Sequence, residues 1–90
     1  MSPLKKKKLT KIRHELDKID NILIKIIKKR TLLVDKVLAL KEKKKQIVDK
    51  KRIKIILKNI KKKSLQNRID PKITNRIWKN MIGSYIEYER

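Results

Sequence analysis

Residues 9–40 read LTKIRHELDKIDNILIKIIKKRTLLVDKVLAL. Apolar side chains recur here at steps of four and three: Ile12, Leu16, Ile19, Leu23, Ile26, then Leu33, Val37 and Leu40. No Gly or Pro interrupts the stretch. Such spacing draws a heptad seam down one side of an α-helix. The pattern predicts a first helix from about Leu9 to about Lys44, roughly 50 Å long at about 1.5 Å per residue. The rest of the chain is too short to cover a helix of that length. A seam sustained beyond about 25 residues asks for a partner helix. A second copy of the chain is the simplest partner, because symmetric dimers are the commonest oligomers.

Outward from that helix, the polar stretch Glu42 to Gln46 reads as a connector. A second helix is expected from about Asp49 to Lys63, with Asp49 as its cap and Ile53, Ile56, Leu57 and Ile60 on one face. Ser64 to Ile69 reads as a loop. Asp70-Pro71 is a helix start, Asp at the cap and Pro at the first helical position. The third helix carries Ile73, Ile77, Trp78, Met81, Ile82, Tyr85 and Ile86 toward Arg90. No alternating strand pattern and no internal repeat is present. The expectation is one all-α domain over residues 1–90, with a basic N-terminal extension at about 1–8.

Composition narrows the chemistry. Without Cys there is no disulfide, thiolate nucleophile or thiolate metal site, and one His makes no zinc site. No Gly-rich phosphate loop or Ser/His/Asp set occurs, and no metal or cofactor is expected. No uncharged run approaches the ~20 residues of a membrane span. Lys5 to Lys8 are followed by charged residues rather than the apolar core of a signal peptide. The chain therefore reads as soluble and cytoplasmic. Its formal charge of +20 suggests a nucleic-acid partner. A bland source competes with that reading: Lys and Ile are abundant while Ala and Gly are scarce, the residue types favoured by AT-rich codons. On that view, positions kept as Arg have a geometric task, because a guanidinium grips carboxylates with a planar fork.

Arg30 is the one charged residue in the seam series 12, 16, 19, 23, 26, 30, 33, 37, 40. A buried guanidinium needs an anion. Asp20, Asp35 or a partner carboxylate would serve, fixing register; so would a ligand. Arg30 and Lys41 stand eleven residues apart, about three turns and 16 Å along nearly one face, although Lys41 also reads as a lysine with its head in water. Arg13 lies toward the other end. Three inward cations suit a small multiply charged anion better than a nucleic-acid backbone, which needs an outward stripe. Asp49 and Arg52, at i and i+3, read equally as a surface pair. Glu89 falls on the apolar face of helix three, unless the end frays. His14 reads as passive, and Trp78 and the tyrosines as core.

The ordered charges resemble a known family, the all-α chorismate mutases. The segment Ile12-Arg13-His14-Glu15-Leu16-Asp17-Lys18-Ile19-Asp20 resembles the family's opening, and Lys28-Lys29-Arg30 its second Arg. Val37-Leu38-Ala39-Leu40-Lys41 resembles its helix-borne Lys, and Ile47-Val48-Asp49-Lys50-Lys51-Arg52 its Asp and Arg at helix two. Asp70 to Glu89, with Ile77-Trp78 and Ser84, resembles the third helix. The likeness spans roughly residues 9–90. It implies three helices in an intertwined homodimer with two equivalent sites, rearranging chorismate to prephenate in phenylalanine and tyrosine biosynthesis. It also implies residue roles. Arg13 would reach across from the partner subunit and, with Arg30, hold the two carboxylates. Lys41 and Glu89 would act at the ether oxygen. Asp49 would position the ring hydroxyl, Arg52 would add positive potential, and Tyr85 would line the site.

Three positions depart from the commonest bacterial pattern. Ile53 stands where an acidic residue often binds the ring hydroxyl, Tyr85 where a Ser is often found, and Glu89 where a Gln donates to the ether oxygen. The same scaffold carries isochorismate-pyruvate lyases, so that reaction is an alternative. A basic helical nucleic-acid-binding protein and a plain coiled-coil module are alternatives of other classes. Given the inward cations, nucleic acid is the less expected partner, and a small dicarboxylate the expected one.

Overall fold

The computed structural model describes residues 1–40 and 49–89. Every regular element among them is an α-helix: α1 Pro3–Ala39, α2 Lys50–Gln66 and α3 Pro71–Glu89. The chain divides into two compact units, Met1–Leu40 and Lys41–Arg90. The connector expected at Glu42 to Gln46 lies outside the described residues.

The first unit is α1, about 56 Å of unbroken helix. It begins six residues earlier (9 − 3) than the seam predicts. Ser2 caps it, its hydroxyl accepting from the Lys5 N–H at 3.2 Å, and Pro3 fills the first turn. Ser-Pro is an N-cap signal; the heptad reading passed over it because lysines, not apolar residues, follow. The basic extension is thus helical from Pro3. The seam lies open in the single chain: Ile12 is 53% exposed, Ile19 52%, Leu23 47% and Leu33 60%.

The second unit is a helical hairpin. Asp49 caps α2 as expected, its carboxylate accepting from the Arg52 N–H at 3.0 Å. The helix runs three residues past Lys63, because Ser64 stays in the turn by donating its hydroxyl proton to the Ile60 carbonyl at 2.6 Å. The chain then turns through Arg68, whose φ of 57° is left-handed. The Ile69 N–H donates to the Ser64 carbonyl at 2.9 Å and the Arg68 N–H to that of Leu65 at 3.3 Å. This is a Schellman closure, with Arg where Gly is usual. Asp70 caps α3, accepting from the Lys72 N–H at 2.9 Å.

The two helices pack on each other. Ser64 and Thr74, 3% and 9% exposed, are pinned by a hydroxyl–hydroxyl hydrogen bond of 2.6 Å. With the Ser64 proton on Ile60, Thr74 is the donor in that bond, and its 3.3 Å approach to the Pro71 carbonyl is the weaker alternative. Ile53, Ile56, Leu57 and Ile60 are half-buried on α2, matching the predicted face. On α3 the half-buried strip is Pro71, Asn75, Trp78, Met81, Ile82, Tyr85, Ile86 and Glu89. Ile73 and Ile77, expected on that strip, are 57% and 51% exposed. The buried Thr74 rotates the strip away from both. Among the described residues no apolar side chain is fully buried, so one copy alone has only a shallow core.

Candidate functional site

Arg30 and Arg13 ride on α1. Arg30 is half-buried, while its seam neighbours Ile26 and Leu33 are 52% and 60% exposed. In the C-terminal half of α1 the half-buried residues are Arg30, Thr31, Val34 and Leu38, a strip beside the seam. At about 100° per residue, Val34 and Leu38 lie about 40° and 80° to one side of Arg30, and Val37 and Leu33 about 20° and 60° to the other. Arg30 therefore stands on the border between a half-buried strip and an open apolar seam. The Thr31 hydroxyl is turned back onto the Ile27 carbonyl at 2.8 Å. Arg13 is exposed, seventeen residues (30 − 13) up the same helix. Lys41 falls outside the described residues.

Asp49, Arg52, Tyr85 and Glu89 belong to the hairpin. Helices joined by so short a turn run antiparallel. Counting from the Ser64–Thr74 pin, Ile53 is eleven residues back along α2 and Tyr85 eleven forward along α3. Both lie about 16 Å from the pin. Asp49 and Glu89, each fifteen residues from it, come level in the same way. The four residues thus share the open end of the hairpin. Asp49 and Arg52 are exposed there. Tyr85 and Glu89 are half-buried, and the Oε1 of Glu89 is shielded from solvent. Glu89 closes the packed strip of α3, which is the face the spacing predicts.

The carboxylate of Asp49 is engaged at the first turn of α2. A cap that also faces a ligand binds it from a fixed position, because the helix end holds its rotamer. Ile53 offers no hydrogen bond from the next turn. An open groove of about 550 Å³, lined by Leu57, Lys58, Lys61, Pro71, Lys72 and Asn75, lies toward the turn end of the hairpin. None of the expected site residues lines it. No cluster of three or more His, Cys, Asp or Glu able to hold a metal occurs among the described residues. No described helix is long and apolar enough to cross a membrane.

These features describe an all-helical chain with an arginine on a long helix whose apolar seam is open, and a second group of polar residues at one end of a hairpin. The family model for chorismate mutase type II matches residues 12–90, and the chain belongs to that family. Chorismate mutases are isomerases that rearrange chorismate to prephenate. Searches among curated proteins and among solved structures returned no match.

Proposed function

We propose that two copies pair through antiparallel α1 helices into a homodimer with two equivalent sites, each rearranging chorismate to prephenate with Arg13 supplied by the partner subunit. The observation that carries this reading is the length of α1. Arg13 and Arg30 sit on one straight helix, about 26 Å apart along its axis. An extended arginine reaches about 7 Å from its Cα, so two arginines of one chain span too little to hold one small dicarboxylate. The family's two-arginine grip thus requires a second chain. A parallel pairing about a two-fold axis would set the partner's Arg13 beside Arg13. An antiparallel pairing sets the partner's Arg13 level with Arg30, with the axis passing near Asn21 and Ile22, the midpoint of 13 and 30. Ile19 and Leu23, about half exposed in one copy, flank that axis. Their burial supplies the apolar contact the single chain lacks.

The chemistry follows from the substrate. The rearrangement is concerted: the ether C–O bond breaks as a C–C bond forms, within one molecule. A protein accelerates it by holding the reactive conformer and by stabilising negative charge that develops on the ether oxygen. Arg30 and the partner's Arg13 hold the carboxylates by charge-assisted hydrogen bonds. Lys41 meets the developing charge, and Glu89, when protonated, donates to the same oxygen. Arg52 raises the local positive potential. Asp49 accepts from the ring hydroxyl, without help from Ile53, and Tyr85 lines the site. Prephenate feeds phenylalanine and tyrosine biosynthesis, and a cytoplasmic location accords with that role.

The test is loss of chorismate absorbance with purified protein, with chromatographic identification of the product and isochorismate assayed in parallel. Prephenate from chorismate, by a protein that sediments as a dimer, is the expected result. Turnover of isochorismate alone, or a folded and active monomer, overturns the reading.

A further inference from the structure

We propose that the first turns of α1 form a docking arm for double-stranded nucleic acid, in which Lys5, Lys6, Lys7, Lys8 and Lys11 grip the phosphate backbone without reading sequence. The arm lies N-terminal to the matched domain, which begins at residue 12, and rearranging a dicarboxylate makes no use of it. It is helix rather than tail. Ser2 caps it, the Lys6 N–H donates to the Ser2 carbonyl at 2.9 Å, and the Thr10 hydroxyl donates to the Lys6 carbonyl at 3.0 Å. The lysines are therefore held at fixed spacing. All five are exposed, and four consecutive residues about 100° apart ring the helix. The seam, traced back from Ile12, reaches Leu9 and then Lys5, so the apolar contact between copies ends where the arm begins. In the antiparallel pairing proposed above, Lys8 comes level with the partner's Asp35. Lys5 falls on the seam line, whereas Lys6, Lys7 and Lys11 lie off it by about 100° to 160° and remain open to a ligand.

The charge is placed against the helix's own interest. The first turn holds no acidic residue, and the first acid along the chain is Glu15. Lysines at a helix N-terminus repel the positive end of the macrodipole. An external polyanion turns both terms favourable. The charge density also fits: Lys5 to Lys11 rise about 9 Å, over which a duplex carries about five phosphates, one per ~1.7 Å. Beside the lysines, Met1 and Leu4 are exposed at 74% and 63%, a smaller apolar area than the face with which an interfacial helix enters a lipid surface. No aromatic residue lies on α1 to stack on unpaired bases. Lysines are point charges suited to phosphate rather than to base edges. The inward cations argue against nucleic acid, whereas Lys6, Lys7 and Lys11 point outward, as contacts to a backbone require.

Lysine is common throughout the chain, so the experiment must separate position from net charge. The full-length protein is titrated into a fluorescently labelled random DNA duplex of about 30 base pairs, followed by anisotropy between about 50 and 200 mM KCl. One variant carries Lys5→Gln, Lys6→Gln, Lys7→Gln and Lys8→Gln. A charge-matched control carries Lys51→Gln, Lys54→Gln, Lys58→Gln and Lys61→Gln on α2. Circular dichroism and chorismate turnover check that both are folded. The arm variant is expected to lose at least tenfold in affinity at about 50 mM salt. Its slope of log K against log salt should fall by about 2 to 4, at ~0.9 per phosphate contact. The control should keep the wild-type slope to within about 1. Three results overturn the proposal: no duplex binding by wild type at about 100 mM salt, equal losses in both variants, or tighter binding to vesicles of phosphatidylglycerol and phosphatidylcholine than to the duplex.

Discussion

Arg68 carries the hairpin turn with a φ of 57°, and replacing it by Gly should stabilise the protein. A Cβ in the left-handed region costs about 1–2 kcal/mol. Gly removes that cost but adds freedom to the unfolded chain, which takes back roughly 0.5–1 kcal/mol. The hydrogen bonds of the turn come from backbone groups, Ile69 N–H to Ser64 O and Arg68 N–H to Leu65 O, so the substitution leaves them intact. The net gain for Arg68→Gly is about 0.5–1 kcal/mol per hairpin. For a domain of this size 1 kcal/mol moves Tm by about 4–8 °C, so a rise of about 3–6 °C is expected. The assay is thermal melting by circular dichroism at fixed protein concentration, since association shifts Tm. Arg68→Ala is the control: it removes the guanidinium, keeps the Cβ and should gain little. Arg68 is remote from the open end of the hairpin, so kcat/KM should not change. A Tm for Arg68→Gly at or below wild type refutes the reasoning, as does an equal rise for Arg68→Ala.

Three further outcomes follow from the same account. Arg30→Ala and Lys41→Ala should each lower kcat/KM by at least ~100-fold, about 2.7 kcal/mol of transition-state stabilisation, while the exposed Lys62→Ala changes steady-state kinetics little. Only a protonated Glu89 donates a hydrogen bond, so wild-type kcat/KM should be highest at acid pH and fall as pH rises through the titration of Glu89. Glu89→Gln should remain active with a flat profile, and a wild-type profile already flat into mildly basic pH would remove Glu89 from the ether oxygen. Thr74→Val should lower stability by about 1 kcal/mol in chemical denaturation, because Ser64 loses its buried donor; an unchanged midpoint would show that the pin is not a stabilising contact.

Much of this arrangement was legible in the residues because helix signals are local. The Asp49 cap, the Asp70-Pro71 start and the 53–56–57–60 face of α2 are each set within a turn or two, and each is found as read. The ordered Arg13, Arg30, Asp49 and Arg52 pointed to the family that matches. What the sequence hid depends on contacts between turns. Ser64 reads as a loop residue by type, and becomes helical because its hydroxyl meets the Ile60 carbonyl and a threonine ten residues on. Ile73 and Ile77 look like core by hydrophobicity, yet Thr74 occupies the packed face and turns them outward. The start of α1 was hidden for the opposite reason: the cap signal at Ser2-Pro3 is local, but a run of lysines carries no apolar period to confirm it. Arg30 is the instructive case among the site residues. Spacing puts it on the seam, and the half-buried strip beside it places it at the border between two faces.

The most direct test of a site shared between subunits is complementation. Arg13→Ala and Arg30→Ala proteins, each inactive alone, are mixed in equal amounts and allowed to exchange subunits. In a mixed dimer one site has both arginines and the other has neither. Half of randomly paired dimers are mixed, and each contributes one of its two sites, so about a quarter of wild-type activity should return. Exchange is followed independently by mass-labelled subunits. Recovery near that fraction, appearing at the rate of exchange, is what the account predicts. Complete exchange with no recovered activity would contradict it, because Arg13 would then serve its own chain or no site at all.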